Sequence, residues 1–156
     1  MKSHAHPVRS IVLAATLALL LTVTSGCSSF NRDWESAAAL DTAGHHVLGR
    51  WQGRWHSDDN QHEGDLRAII TRPTDAPAGT YHARYHATWA IFTGEFESQL
   101  VGQSTEGVYT FTTDQDLGMF GQFSAQGTAD GQLFNATFEA AKGDHGTFKM
   151  TRPTGE

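Results

Sequence analysis

From residue 47 to residue 152 the chain alternates apolar and polar positions with a period of two. In Val47-Leu48-Gly49-Arg50-Trp51-Gln52-Gly53-Arg54-Trp55, the residues Val47, Gly49, Trp51, Gly53 and Trp55 share one side. Arg50, Gln52, Arg54 and His56 share the other. Successive side chains of a strand point to opposite faces, so this pattern predicts one buried and one wet face. The pattern recurs with Tyr81, Ala83, Tyr85, Ala87 and Trp89 against His82, Arg84, His86 and Thr88, and with Phe92, Gly94, Phe96, Ser98 and Leu100 against Glu95, Glu97 and Gln99. It predicts strands near 47–57, 64–72, 80–89, 92–101, 106–113, 118–128, 132–140 and 145–152. Inward choices on the later strands are Tyr109, Phe111, Met119, Phe123, Phe134, Phe138, Phe148 and Met150.

The connections carry turn chemistry. They are Ser57 to Gly64, Pro73 to Gly79, Gly102 to Gly107, Asp130-Gly131 and Lys142-Gly143-Asp144. Asp-Gly between alternating runs is a strong hairpin signal. Short strands with short links and no helix between them predict an all-β, antiparallel, up-and-down sheet. Eight is the number at which a small barrel closes and removes its exposed edges. The expected fold is therefore an eight-stranded barrel over 47–154. Thr-Arg-Pro-Thr occurs at 71–74 and again at 151–154, but the flanking residues match poorly and coincidence explains it.

The region before the barrel has a different character. Lys2 and Arg9 precede an apolar run from Ile11 to Val23, then Thr24-Ser25-Gly26-Cys27. The run is short for a bilayer span and has the layout of an export signal. Small residues directly before the one cysteine resemble the lipobox of bacterial lipoproteins. That resemblance implies cleavage after residue 26, acylation of Cys27 with palmitate among the chains, and a cell-envelope location. Ser28 after the cysteine implies, by the same resemblance, sorting to the outer membrane with the domain facing the periplasm. Each buried methylene of such chains contributes about 0.8 kcal/mol, so several chains make a stable anchor. Residues 27–46 then form a tether, whose stretch 28–46 could reach roughly 60 Å at about 3.3 Å per residue. Asp33 to Leu40 is expected as two helical turns, with Asp33 as N-cap, Gly44 beyond the end, and Trp34 and Leu40 as apolar contacts. This segment is either a helix docked on the domain or a frayed tether.

Charge and composition narrow the function. The net charge of −6 becomes −8 once Lys2 and Arg9 are removed, and no basic block is present. That argues against nucleic acid as a partner. With Cys27 alone there is no intramolecular disulfide and no cysteine cluster for zinc. No Gly-x-Ser-x-Gly, phosphate-binding glycine loop or His-Glu-x-x-His occurs. Glu95 and Glu97 share a strand face, which reads as solvated rather than catalytic. His82 and His86 point the same way but lie about 13 Å apart along the strand, too far to share an ion. The expectation is no enzyme, no cofactor and no metal site.

The interior is the richest feature. Trp51, Trp55, Tyr81, Tyr85, Trp89, Phe92, Phe96, Tyr109, Phe111, Phe123, Phe134, Phe138 and Phe148 all have inward parity, interleaved with Gly49, Gly53, Ala83, Ala87, Gly94, Ser98, Gly121, Ala125 and Ala136. An eight-stranded barrel holds its own side chains or one small ligand. Two readings stay open: a filled aromatic core, or a small apolar pocket at one mouth with tyrosine hydroxyls and Ser98 as polar handles. Gly49-Arg50-Trp51, with Gly53-Arg54-Trp55 overlapping it in kind, resembles the Gly-x-Trp signature on the first strand of the calycin superfamily, the lipocalins and fatty-acid-binding proteins among them. The resemblance implies a calycin-like barrel in which a basic residue from the last strand covers that tryptophan. Arg152 has the required parity, and Gly49, Trp51 and Arg152 are the expected closure. The whole is also similar to short bacterial lipoproteins without an established activity. The expected function is non-enzymatic binding of a small apolar or aromatic ligand by Trp55, Tyr81, Tyr85, Trp89 and Ser98. The alternative is an envelope protein-binding module, an inhibitor or assembly factor, using the acidic Asp58-to-Asp65 hairpin or the Arg50, Arg54 and Arg84 face.

Overall fold

The computed structural model describes residues 25–41, 46–118 and 121–154. Eight antiparallel strands follow one another around a closed barrel: β1 (Gly49–Ser57), β2 (Glu63–Thr71), β3 (Thr80–Trp89), β4 (Phe92–Thr105), β5 (Val108–Asp116), β6 (Gln122–Ala129), β7 (Leu133–Ala140) and β8 (His145–Thr151). The last strand pairs back onto the first, with Gly53 opposite Met150 and Trp55 opposite Phe148. The all-β up-and-down barrel expected from the alternation is thus the fold the chain adopts. Closure pairs the first strand with the last, so neither is left as a free sheet edge.

The alternation also sets the core. Trp51, Leu66, Ile70, Leu100, Tyr109, Phe111, Phe134 and Met150 are almost fully buried, all on the inward parity. Trp89 and Phe92 depart from it. They are 42% and 61% exposed, because the β3–β4 hairpin carries them past the rim. Ala90 turns that hairpin with φ of 51°.

The boundaries depart from expectation most around β4 to β6. β4 runs on to Thr105, and the turn is Glu106-Gly107, whose φ values of 53° and 84° suit a tight hairpin. Gly102 is a strand residue: a Cβ there would lie 2.0 Å from the Thr110 carbonyl oxygen, so it is small to let β5 approach. β6 begins at Gln122, because Gly121 closes a turn with Leu117 and Gly118. Met119 lies outside the described residues, as do residues 1–24 with the export signal.

Ahead of the barrel, helices cover Ser25–Ser36 and Ala38–Asp41. The first begins well before Asp33, which is therefore an interior helix residue and not an N-cap. No proline interrupts Ser25 to Asn31, so nothing stops the helix there. From Trp34 onwards the segment belongs to the barrel unit and is docked, not frayed. The Trp34 ring lies 5.4 Å from the Arg50 guanidinium and 5.2 Å from that of Arg67. Asp41 accepts hydrogen bonds from the Arg50 backbone N–H at 2.6 Å and from Arg50 Nε at 2.8 Å. Gly49, at φ of 103°, makes this possible: a Cβ on it would lie 2.4 Å from Asp41 Oδ1.

This helix end closes one end of the barrel. Arg152 lays its guanidinium 3.8 Å from the Trp51 ring centroid. It donates to the Arg50 and Gly131 carbonyls at 3.1 and 3.2 Å, with Asp41 3.9 Å away. A desolvated cation–π contact of this kind is worth about 2 kcal/mol. The opposite end, reached by the β1–β2, β3–β4, β5–β6 and β7–β8 turns, is the mouth. There Ser57 donates to Asp144 at 2.5 Å, tying the first turn to the last.

Candidate binding site inside the barrel

The inward rings gather in two clusters. Near the closed end, Trp51 meets Phe134 at 5.7 Å, Phe134 meets Phe111 at 5.0 Å, and Tyr109 stacks on Phe111. Near the mouth, Tyr85 stacks on Phe96 at 4.7 Å, while Phe123, Phe138 and Phe148 stack with one another. Phe96–Phe123 at 5.9 Å and Tyr85–Phe148 at 6.0 Å join the two parts of the upper cluster. Between the clusters each of β3 to β7 contributes a small inward residue: Ala83, Ser98, Thr113, Ala125 and Ala136. The register sets Ala83 against Ser98 and Thr113 against Ala125. The barrel therefore has a waist between two layers of rings, where these short side chains stand beside the buried Leu66, Ile70, Leu100 and Met150.

The waist holds two polar groups without partners. Ser98 is 3% and Thr113 6% exposed, and neither Ser98 Oγ nor Thr113 Oγ1 has a hydrogen-bond partner in the protein. A buried hydroxyl left this way costs about 1–3 kcal/mol. Ser98 is close enough to the Tyr85 hydroxyl to offset a little of the rise that burial imposes on that phenol, yet the pair does not reach hydrogen-bond geometry. Burial carries the Tyr85 pKa far above the ordinary phenol range, so its hydroxyl keeps its proton.

The wall beside the waist is incompletely laddered. β4 pairs with β3 from Phe92 to Val101, but with β5 only from Val101 to Thr105. Among the described residues, no ladder joins Phe92–Leu100 to Thr113–Asp116. Among the described residues the Gln115 side chain bridges this seam, its Nε2 donating to the Glu97 carbonyl. At its upper end Gly94 opens onto space, with nothing within 4 Å of where a Cβ would stand.

The residues expected to form one ligand site do not all converge. Tyr85 and Ser98 lie together at the waist and upper cluster. Trp55 is held in the wall, its Nε1 donating to the Thr88 carbonyl at 2.9 Å over Gly64. Tyr81 is at the closed end, edge-on to Tyr109 at 5.0 Å. Trp89, eight residues further along β3 and so roughly 26 Å away at about 3.3 Å per residue, stands on the rim against His62 and Phe92. Tyr109 donates to the Gly79 carbonyl at 2.7 Å and is structural. Thr113 was missed in the sequence, although it shares parity with Tyr109 and Phe111.

The outer wall is busy but self-satisfied. Arg54 pairs with Glu63 at 2.9 Å and Asp65 at 3.0 Å, Arg84 with Glu95 at 2.7 Å, and His82 with Glu97 at 3.3 Å. Glu95 and Glu97 thus serve cross-strand pairs. A groove of about 510 Å³ runs over β5 to β8 past Thr112, Ser124 and His145, and one of about 610 Å³ passes Gln52, Asp65, Arg67 and His86. Neither includes Trp55, Tyr81, Tyr85, Trp89 or Ser98. Among the described residues no group of three or more His, Cys, Asp or Glu side chains gathers to hold a metal. No protein-family profile matches the chain, and neither characterised proteins nor solved structures yield a significant match.

Proposed function

We propose that this chain is a lipoprotein, anchored through acylated Cys27 to the cell envelope, outer membrane by preference, whose calycin-like barrel binds a small apolar or aromatic molecule without turning it over. The observation that carries the reading is the pair of buried, unpartnered hydroxyls of Ser98 and Thr113 between two ring layers, beside a seam without ladder bonds. Solid aromatic cores have no use for buried hydroxyls that satisfy nothing, since such groups are normally paired. Of the residues first expected to bind, Tyr85 and Ser98 remain central, Trp55 and Trp89 flank the mouth, and Tyr81 forms part of the floor.

The test is calorimetric titration of the full-length protein in lipid nanodiscs with naphthalene, using empty nanodiscs as the blank. The wild type is expected to bind. Ala125→Leu, which fills the waist, is expected to fold and to lose binding at least tenfold. A wild type that takes up no naphthalene beyond the blank, together with a strongly destabilised Ala125→Leu, means a filled core.

One observation favours a second reading as a protein-binding module. Ile91 is 91% exposed at the hairpin tip, beside exposed Trp89 and Phe92. The basic face formed by Arg50, Arg54 and Arg84 favours it less, because each arginine already has an acidic partner.

A further inference from the structure

We infer that the open edge of β4, from Thr93 to Gln99, is a docking site for an extended basic peptide, which adds to it as a strand. The site lies on the barrel wall and does not depend on what the interior holds. β4 meets β3 from Phe92 to Val101, but its other side has no ladder before Val101. In an antiparallel pair, residues that exchange bonds with one neighbour alternate with residues that face the other way. The Glu97 carbonyl accepts from Gln115 across the seam, so Thr93, Glu95, Glu97 and Gln99 turn their backbone N–H and C=O groups towards it. Among the described residues no strand answers them there. Such a row of backbone groups is a template for an added strand. The Gln115 side-chain amide already stands in for one backbone N–H of that strand.

The side chains along the seam fix the chemistry of the peptide. Its outer face is flanked by exposed carboxylates, Glu95 and Glu97 on β4 and Asp114 and Asp116 on β5. Glu95 and Glu97 share Arg84 and His82. Asp114 accepts from the Gln122 amide at 3.3 Å and Asp116 from the Gly118 N–H at 2.8 Å, neutral donors that leave both charges in place. A strand with Lys or Arg at alternate positions sets cations directly opposite this row, the favourable cross-strand arrangement. Its other positions point inward beside Gly94, where a Cβ would meet nothing within 4 Å, and beside the partly buried Phe96. These positions suit apolar residues, and the edge ends at the exposed Phe92 and Ile91. A second copy of the chain is the poorer occupant. Antiparallel pairing of two β4 edges about Phe96 sets Glu95 against Glu97 in both directions, and like charges directly opposite repel.

The probe is a dye-labelled heptapeptide, Lys-Val-Lys-Val-Lys-Val-Lys, followed by fluorescence anisotropy. It is titrated against the full-length protein in nanodiscs of zwitterionic lipid, with empty discs as the blank. The wild type is expected to bind it at least tenfold more tightly than the same peptide with Glu for Lys. Thr93→Pro removes one seam-facing N–H while keeping the carboxylates and the β3 ladder, and is expected to weaken binding about tenfold. A second measurement leaves the protein untouched. Antiparallel pairing points the N–H groups of the Lys positions at β4. N-methylation of the Lys residues is therefore expected to abolish binding, and N-methylation of the Val residues to leave it. Absence of binding, equal binding of the acidic peptide, or indifference to N-methylation at Lys overturns the inference. Particles holding two barrels joined in the wild type and single in Thr93→Pro would assign the edge to a second copy and overturn it too.

Discussion

Replacing the two orphan hydroxyls should make the empty barrel more stable, which is the reverse of the usual result for buried positions. Thr113→Val exchanges a hydroxyl for a methyl of nearly the same size. The folded state loses an unpartnered polar group that costs about 1–3 kcal/mol, and it gains a buried methyl worth about 0.8 kcal/mol. Discounting for imperfect fit at a 6% exposed site, the expected gain is about 1–2 kcal/mol. Ser98→Ala removes the hydroxyl without filling its space, so its gain is smaller, about 0.5–1 kcal/mol. The sites flank one seam and need not add. Urea unfolding followed by tryptophan fluorescence reads this directly. With a slope of about 2 kcal/mol per molar, Thr113→Val should raise the midpoint by roughly 0.5–1 M at unchanged slope. A fall of 1 kcal/mol or more in both variants would refute the reasoning, because it would mean that the hydroxyls are already satisfied.

Three other outcomes follow from the same geometry. Arg152→Ala should lose the cover over Trp51 and two hydrogen bonds to carbonyls, destabilising the barrel by about 3–4 kcal/mol; Arg152→Lys should lose about half as much, since an ammonium keeps the charge but not the fork. His86 has its pKa lowered, first by burial and then by nearby Arg67, with Arg84 adding to the fall and Glu95 opposing it. The unfolded chain then binds the proton more readily, so this contribution is complete above about pH 6.5 and shrinks as pH falls towards the folded-state value. His145, raised by the Gly143 carbonyl and by Asp58, Asp59 and Asp144, acts with the opposite sign. The readout is therefore the difference between wild type and His86→Gln in melting temperature from pH 7.5 to pH 5, expected to flatten in the variant. Cys27→Ser should move the protein from the membrane to the soluble fraction, and unchanged sedimentation with membranes would remove the acyl anchor.

The strands were legible because each buried face repeats every second residue, and nothing in the sequence competes with that period. Glycine was the weak point. Gly102 reads as a turn residue, yet it is small so that two strands can approach. Parity told which face a side chain takes but not its height along the barrel, so Tyr81 at the floor and Trp89 on the rim looked like neighbours. The same limit hid the exposure of Phe92. Arg152 could be placed by counting from Phe148 and Met150. Asp41 could not, because it lies outside any periodic segment and reaches Arg50 and Arg152 only through the folded chain. Thr113 carried the right parity, but an orphan hydroxyl is a property of the neighbours it lacks, which no spacing records.

The central claim, that the barrel carries a small molecule at its waist, is tested most directly by native mass spectrometry of the full-length protein released from its own membranes. A bound neutral species of at most a few hundred daltons is expected, lost on denaturation and missing from Ala125→Leu. A wild-type protein that shows only polypeptide and acyl mass, and that takes up no added naphthalene, would contradict the account.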